Sequence, residues 1–456
     1  MNTPSKIKTL EIGEPNEKQK LFFLAKERFV CYGGARGGGK SWAVRKKAEL
    51  MALRYPGIKI LFLRRTLKDL KENHIGELRK DLDGIAVYRD QDAKFSFANG
   101  STLKLGYADS ESDITHYQGN EYDVMFLDEA TQFTQFMFVT LTASLRGAND
   151  FPKRMYLTCN PGGVGHGWVK RLFIDREFLP EENPADYVFI PAKATDNKVL
   201  METDPGYMTM LNMLPPDLRA AWRDGSWDIF AGQYFPEFSE RWHCENQPMP
   251  PKSWTRYAAL DYGLDALAAY WAAVEPNGRI HVYREVYATG QIISKAAELI
   301  TQAGDEVQAF YAPPDLWNRR QDTGRSVAEI FAEHGIFLYK VSNDRVAGWM
   351  EVKQALAIQF DGEGEDARPI EGPKLKIDAG CRNLIKSFPY LLADEKNVGD
   401  VAKEPHEYTH GPDAIRYLLA GRPMYTPTKE ELRREWADRW ETSYDEQERD
   451  FLDYGR

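Results

Sequence analysis

Gly34-Ala35-Arg36-Gly37-Gly38-Gly39-Lys40-Ser41 fits the pattern G-x-x-x-x-G-K-[ST] at every fixed position. Strand-like residues Phe29, Val30, Cys31 and Tyr32 precede it, and Trp42 to Leu53 is a helix-compatible run, so the glycines sit where a strand turns into a helix. That context gives the pattern its chemistry. Glycines let backbone N–H groups close round phosphate oxygens, and the helix N-terminus adds its positive end. Lys40 is placed to reach the β- and γ-phosphates and the Ser41 hydroxyl to ligate Mg²⁺, so the whole loop is the expected site for ATP with Mg²⁺.

Further along, Ile58 to Leu63 is a continuous apolar run of the buried parallel-strand kind, ending in Arg64-Arg65. Phe95 to Leu105 alternates around Asn99-Gly100, a hairpin signal. Val124-Met125-Phe126-Leu127 then delivers Asp128 and Glu129 at a strand end, one carboxylate for the Mg²⁺ shell and one to polarise the attacking water. A third strand-like run, Met155 to Thr158, ends in Cys159-Asn160-Pro161. Thr158 and Asn160 are candidates for sensing the γ-phosphate, although an ordinary strand exit closed by Pro161 reads equally well. Arg36 and Arg146 both qualify as the positive group that stabilises a transferring phosphoryl. Gln19 lies upstream of the first strand, where an amide can read an adenine edge or simply face solvent.

At 456 residues the chain exceeds what one core usually organises. No apolar run approaches the roughly 20 residues that span a bilayer, and Met1 to Glu14 is polar, so neither a membrane span nor secretion is expected. Four dispersed cysteines exclude a CxxC zinc knuckle. A net charge of −10 argues against a protein that coats nucleic acid, leaving local basic patches such as Lys68, Lys71, Lys170 and Arg171 as candidates for backbone contact.

Prolines collect at 236, 248, 250 and 251, and the residue pattern loses its period between Gly232 and Trp254, which predicts an interdomain linker over 232–254. The expected organisation is an ATPase domain over 1–231, a second domain over 255–422 and a C-terminal tail over 423–456. In the second domain Arg256 to Leu260 reads as a strand ending at Asp261; Leu267 to Val274 and Ile280 to Tyr287 follow, joined by an Asn277-Gly278 turn. A helix over Ile292 to Gln302, a strand over Gln308 to Ala312 ending near Asp315, a helix, a strand and further helices complete the order β-β-β-α-β-α-β-α, which matches the ribonuclease-H-like arrangement. Asp261, Asp315 and Asp413 occupy the places where that fold gathers metal carboxylates. Such a cluster needs Mg²⁺ or Mn²⁺, two ions in the usual phosphodiester scheme. His410, one turn before Asp413, is a further candidate for metal ligation or proton transfer. A rival pattern, Pro314-Asp315 with Glu351-Val352-Lys353, resembles PD-(D/E)xK but places Glu351 and Lys353 on a helix-period segment, Asp344 to Phe360.

The expected fold is therefore α/β, an N-terminal P-loop ATPase with a mainly parallel sheet plus a C-terminal ribonuclease-H-like nuclease domain. The order of Gln19, the P-loop, Gln118 to Asp123 leading into Asp128-Glu129-Ala130, Thr158 to Pro161, Leu260 to Gly263, Asp315 and His410 to Tyr417 resembles the large terminase subunit of tailed bacteriophages. The resemblance implies a motor that packages double-stranded DNA into procapsids and cuts it. It implies adenine contact by Gln19, metal support by Asp128, hydrolytic base chemistry by Glu129, coupling by Thr158 to Asn160 and a trans-acting Arg146. It also implies docking on a portal protein as a ring, a pentamer, recruitment by a small terminase subunit, and residence in the host cytoplasm and transiently on the procapsid, not in the mature virion. A helicase or repair ATPase fused to a nuclease is the alternative. Beyond Gly421, Thr428 and Glu431 form a candidate capping box, and Trp436, Trp440, Tyr444 and Phe451 suggest a docking tail or a helix packed on its own domain.

Overall fold

The computed structural model describes residues 10, 12–227, 232–246, 249–263, 265–319, 324–361, 368–394, 396–397, 399–431 and 433. The chain divides into two units, Met1–Gln233 and Tyr234–Arg456.

The first unit is built on an eight-stranded sheet. Its strands are β1 (Phe29–Gly34), β2 (Lys59–Arg64), β3 (Ala86–Arg89), β4 (Lys94–Phe97), β5 (Thr102–Tyr107), β6 (Val124–Leu127), β7 (Arg154–Cys159) and β8 (Tyr187–Ala192), in the order β3-β4-β5-β2-β6-β7-β1-β8. Pairings are parallel except those of β4 with β3 and with β5, where the Asn99-Gly100 turn sits. Alternate strand residues enter two cores. Cys31, Leu61, Met125 and Leu157 pack on one face, and Tyr32, Phe62, Phe126 and Tyr156 on the other. Burial on both faces is why these strands read as unbroken apolar runs rather than alternating ones. The order also sets β7 between β6 and β1, so the strand ending at Asn160 separates the strand that carries the P-loop from the strand that carries the acids.

The second unit has a seven-stranded sheet. Its strands are β9 (Cys244–Glu245), β10 (Thr255–Tyr262), β11 (Ala266–Val274), β12 (Ile280–Thr289), β13 (Ala309–Ala312), β14 (Leu338–Lys340) and β17 (Leu375–Asp378), ordered β14-β13-β10-β11-β12-β17-β9. A separate two-stranded ribbon pairs β15 (Gln359–Asp361) with β16 (Arg368–Glu371). β10, β11 and β12 form an antiparallel meander, and β13 and β14 add parallel to β10, as the ribonuclease-H-like order requires. All nine residues of the alanine-rich β11 are buried. The helix His410–Ala420 lies on this sheet through Ala414, Ile415 and Leu418. Its Gly411 permits the close approach, since a Cβ there would stand 2.8 Å from the Tyr270 hydroxyl.

The stretch expected as a linker behaves differently. The division falls at Gln233/Tyr234, Phe235 is fully buried and Phe238 joins it in the core of the second unit, while Cys244–Glu245 adds an edge strand beside β17. Its prolines interrupt periodicity, but its aromatics supply core. The Thr428/Glu431 box is formed, with the Glu431 N–H donating to Thr428 Oγ1 at 3.2 Å and the Thr428 N–H donating to the Glu431 carboxylate at 2.8 Å. Trp436, Trp440, Tyr444 and Phe451 lie outside the described residues.

Candidate functional site

In the first unit the loop after β1 wraps a cavity of about 730 Å³ lined by Arg36, Lys40, Ser41, Arg64, Glu129 and Asn160, among others. Gly37 and Gly39 take φ of 82° and 74°, conformations that side chains other than glycine rarely adopt. Distant groups hold the loop. Asn197 Nδ2 donates to the Gly37 carbonyl at 2.8 Å, the Tyr32 hydroxyl to Gly38 at 3.0 Å and Gln19 Nε2 to Gly39 at 3.1 Å. The Arg36 N–H donates to the Trp222 carbonyl at 2.8 Å, and its guanidinium lies 3.3 Å from the centroid of the Trp222 ring. Sequence spacing could not reveal these distant clamps.

Lys40 is buried, which pulls its ammonium below the usual lysine range although the Glu129, Cys159 and Asp128 side chains oppose the shift. Its Nζ donates to the Ala35 carbonyl at 2.6 Å and to Asn160 Oδ1 at 2.8 Å. The Asn160 amide in turn donates to both Glu129 carboxylate oxygens, at 2.8 and 2.9 Å. Glu129 itself has φ of 56°, and the Thr158 hydroxyl accepts its backbone N–H at 3.0 Å. A left-handed non-glycine residue costs about 1–2 kcal/mol; here the strained turn aims the carboxylate into the cavity.

Asp128 does not line the cavity: Thr158 donates to Oδ1, while Oδ2 meets the Arg64 guanidinium and His74 Nε2, the latter at 2.8 Å. Burial alone would raise its carboxyl, but His74, Arg64 and Thr158 outweigh that and hold it well below the usual range. Arg64 lines the cavity, so this arginine stands between the acid and the phosphate space. His74 was missed because nothing in Lys71–Ile75 advertises it. Gln19 is committed as well, its side-chain oxygen accepting the Asn16 N–H at 2.9 Å, and it lines a neighbouring cavity with Pro15, Trp42 and Asn197.

Arg146 is not brought to the phosphate cavity of its own chain. Leu145 bridges Tyr122, two residues ahead of β6, so Arg146 sits at the amino-terminal edge of the sheet, opposite the strand ends that hold the loop. Its side chain is 56% exposed and its Nε lies 3.9 Å from a Glu121 carboxylate oxygen. Of the basic candidates, Arg171 is buried against Glu182 at 2.7 and 2.8 Å, and Lys170 meets Asp175 at 2.8 Å; only Lys68 and Lys71 are exposed.

In the second unit Asp261 ends β10, Asp315 lies on a short turn of helix after β13 and Asp413 on the helix His410–Ala420. All three carboxylates act on one group, the Tyr417 phenol, which burial first and then Asp413, Asp261 and Asp315 push upward. Asp413 is nearly buried, and burial raises its carboxyl, with the Asp261 charge adding to the effect and Arg416 and Arg345 opposing it. Arg416 donates to Asp413 Oδ1 at 2.9 and 2.6 Å. His410 Nδ1 lies 2.7 Å from Asp261 Oδ2 and Nε2 lies 2.8 Å from Asp265 Oδ2. Burial favours the neutral imidazole, but the two carboxylates outweigh it and raise His410 to about 8. Asp265 and His406 were missed in the sequence because neither sits in a motif: Asp265 lies in the bend before β11 and His406 opens a short helical turn. The rival E-x-K pattern fails: Glu351 and Lys353 ride the helix Arg345–Leu356, and Lys353 donates to the Tyr234 carbonyl.

A strand–loop–helix phosphate cradle after β1 and a pair of acids at the end of β6, one strand removed in the same parallel sheet, define the first unit as a P-loop nucleotide-binding fold. Residues 31–241 match the family model described as "Terminase large subunit, T4likevirus-type, N-terminal". Among solved structures, the large terminase of a thermophilic bacteriophage is 17% identical, with 89% of this chain and 98% of that chain covered and a TM-score of 0.41. The HK97 bacteriophage large terminase is 12% identical, with 90% and 95% covered and a TM-score of 0.48. Among curated proteins, the adenine phosphoribosyltransferase of Synechococcus sp. (strain JA-3-3Ab) is 34% identical over 62 residues, 14% of this chain and 35% of that protein. The chain thus spans about a third of the length of that curated relative.

Proposed function

We propose that the chain is a phage DNA-packaging motor whose first unit hydrolyses ATP and whose second unit cuts double-stranded DNA. The observation that carries the ATPase reading is that Asn160 accepts a bond from Lys40 and donates to both carboxylate oxygens of Glu129. That link joins the phosphate-binding lysine to the base through a strand that runs into the core, a route by which a change at the phosphate reaches the protein. The donor set fits a Mg²⁺-triphosphate: Lys40, Arg36 and Arg64 supply positive charge, Ser41 a hydroxyl and Glu129 the acceptor for a water proton. Bound Mg²⁺ supplies charge neutralisation at the phosphates. Lys40 and the loop glycines hold the β/γ end, Glu129 orients and deprotonates the attacking water, and Asn160 keeps that carboxylate in place. Arg64 must leave Asp128 for this acid to support the metal shell, and its position on the cavity wall lets it turn to the phosphate instead. Gln19 and Trp42 border the neighbouring cavity, which suits an adenine.

In the second unit Asp261, Asp315 and Asp413 would hold two Mg²⁺ or Mn²⁺ ions, whose chemistry is stabilisation of the attacking and leaving oxygens. Burial first, and then the Asp261 charge, raise the Asp413 carboxyl, a placement of its negative charge that a bound cation would relieve. Arg416 and Arg345 keep Asp413 oriented, and His410 keeps Asp261 so. The exposed edge position of Arg146 suits a role toward the next subunit of a ring, with a portal protein, a small terminase subunit and duplex DNA as partners and the host cytoplasm as the setting.

The crossover of two variants tests the reading. Lys40→Ala is expected to abolish ATPase and leave metal-dependent cleavage of linear duplex; Asp261→Ala does the reverse. Loss of both activities in each variant would contradict two separate sites, and unwinding of a forked duplex by the wild type would favour a helicase.

A further inference from the structure

We propose that Asp265, His406 and His410 form a binding site for a transition-metal dication of the zinc class, distinct from the three aspartates and joined to them through the His410 ring. Its link to cleavage rests on the nuclease reading above; the metal site itself does not.

One ligand atom from each of the three residues lies within 4.8 Å of the others. Asp265 Oδ2 is 2.8 Å from His410 Nε2 and 2.9 Å from His406 Nε2, and the two imidazole centroids are 4.6 Å apart. Around a tetrahedral ion at about 2.0–2.2 Å, ligand atoms sit roughly 3.4 Å from one another, so small outward movements of these side chains admit the ion. The two histidines are four residues apart across the start of a helix, which fixes both on one side of the chain. His410 is held rigidly, being 5% exposed, whereas the Asp265 and His406 side chains are 50% and 65% exposed, leaving a way in and a fourth position open to water.

The donor types choose the ion. Two imidazoles and one carboxylate suit Zn²⁺, Co²⁺ or Ni²⁺, whereas Mg²⁺ prefers oxygen ligands and keeps its water. Asp261, Asp315 and Asp413 offer only oxygens, so the second unit carries two neighbouring sites of different softness. They share one connection. With an ion on His410 Nε2, the Nδ1–H faces Asp261 Oδ2 at 2.7 Å, the carboxylate–histidine–metal arrangement that orients a ligating imidazole. The same bond fixes one oxygen of Asp261, so occupancy of the softer site positions a carboxylate of the cutting site.

The full chain, with Mg²⁺ in excess, is titrated with Co²⁺ and followed by visible absorption. One imidazole-ligated Co²⁺ displaced by Zn²⁺ is expected in the wild type and in Asp413→Asn. Binding is expected to weaken on the order of tenfold or more in His406→Ala and in Asp265→Asn, with circular dichroism and metal-free thermal unfolding of the full chain checking that both variants fold. Absence of a Zn²⁺-displaceable band in the wild type, or its persistence in both variants, overturns the site. Cleavage by Asp413→Asn is read separately: its retention would remove the nuclease reading and leave the cobalt result standing.

Discussion

The Asn160 amide nitrogen lies 2.8 and 2.9 Å from the two carboxylate oxygens of Glu129, and its carbonyl oxygen accepts a bond from Lys40. One side chain thereby holds the base and the phosphate-binding lysine in a single arrangement. Asn160→Ala frees the Glu129 carboxylate without adding charge. The turnover number is expected to fall on the order of 10²-fold, the cost of a misplaced catalytic group, while nucleotide affinity changes far less. Steady-state ATPase with a fluorescent-nucleotide binding assay checks this; an unchanged turnover number would mean that Asn160 is only a strand exit.

The Arg64–Asp128 pair is buried on the Asp128 side, with His74 on the same oxygen. Arg64→Ala leaves the buried Asp128 carboxylate to His74 and Thr158 alone, a loss expected to stay below the about 3–5 kcal/mol of a wholly uncompensated buried charge. Arg64→Ala/Asp128→Ala removes both charges and is expected to recover a large part of that loss in urea unfolding. A double variant no more stable than the single one would contradict the coupling.

His166 gives the first unit a pH dependence of known sign. The Gly162 N–H donates to its Nδ1 at 2.9 Å and its Nε2 faces the Trp227 carbonyl at 3.0 Å, so the neutral ring with hydrogen on Nε2 satisfies both. Burial lowers the imidazole to about 3. The unfolded imidazole takes up a proton below about 6.5, so the stabilisation is full above that pH and is lost as pH falls toward about 3. Between those limits the slope is about 1.4 kcal/mol per pH unit. Unfolding free energies at pH 7.5, 5.5 and 4.5 are expected to fall more steeply for the wild type than for His166→Gln; parallel curves would contradict a buried neutral histidine.

Much of this arrangement was legible in residue order. The P-loop, the Asp128-Glu129 strand end and the Asn277-Gly278 hairpin depend on local chemistry, so their elements stand where periodicity put them. What escaped depended on distant partners. Asn197 and Trp222 clamp the P-loop from 160 and 186 positions beyond Gly37 and Arg36. Arg64 and His74 reach Asp128 only because β2 lies beside β6. Phe235 looked like linker because prolines hid its place in a core formed with residues far along the chain. Arg146 was a candidate from its residue type and, by resemblance, for a trans-acting role, and the parallel bridge at Leu145 sets it at the edge of the sheet opposite its own chain's phosphate loop.

The account stands most directly on whether Asp261, Asp315 and Asp413 share cations. Crystals grown with Mn²⁺, with diffraction recorded at the manganese edge, should give two anomalous peaks about 4 Å apart, contacted by carboxylates of all three residues. Peaks that touch none of the three, or a single ion bound without Asp315, would contradict a shared two-ion cutting site.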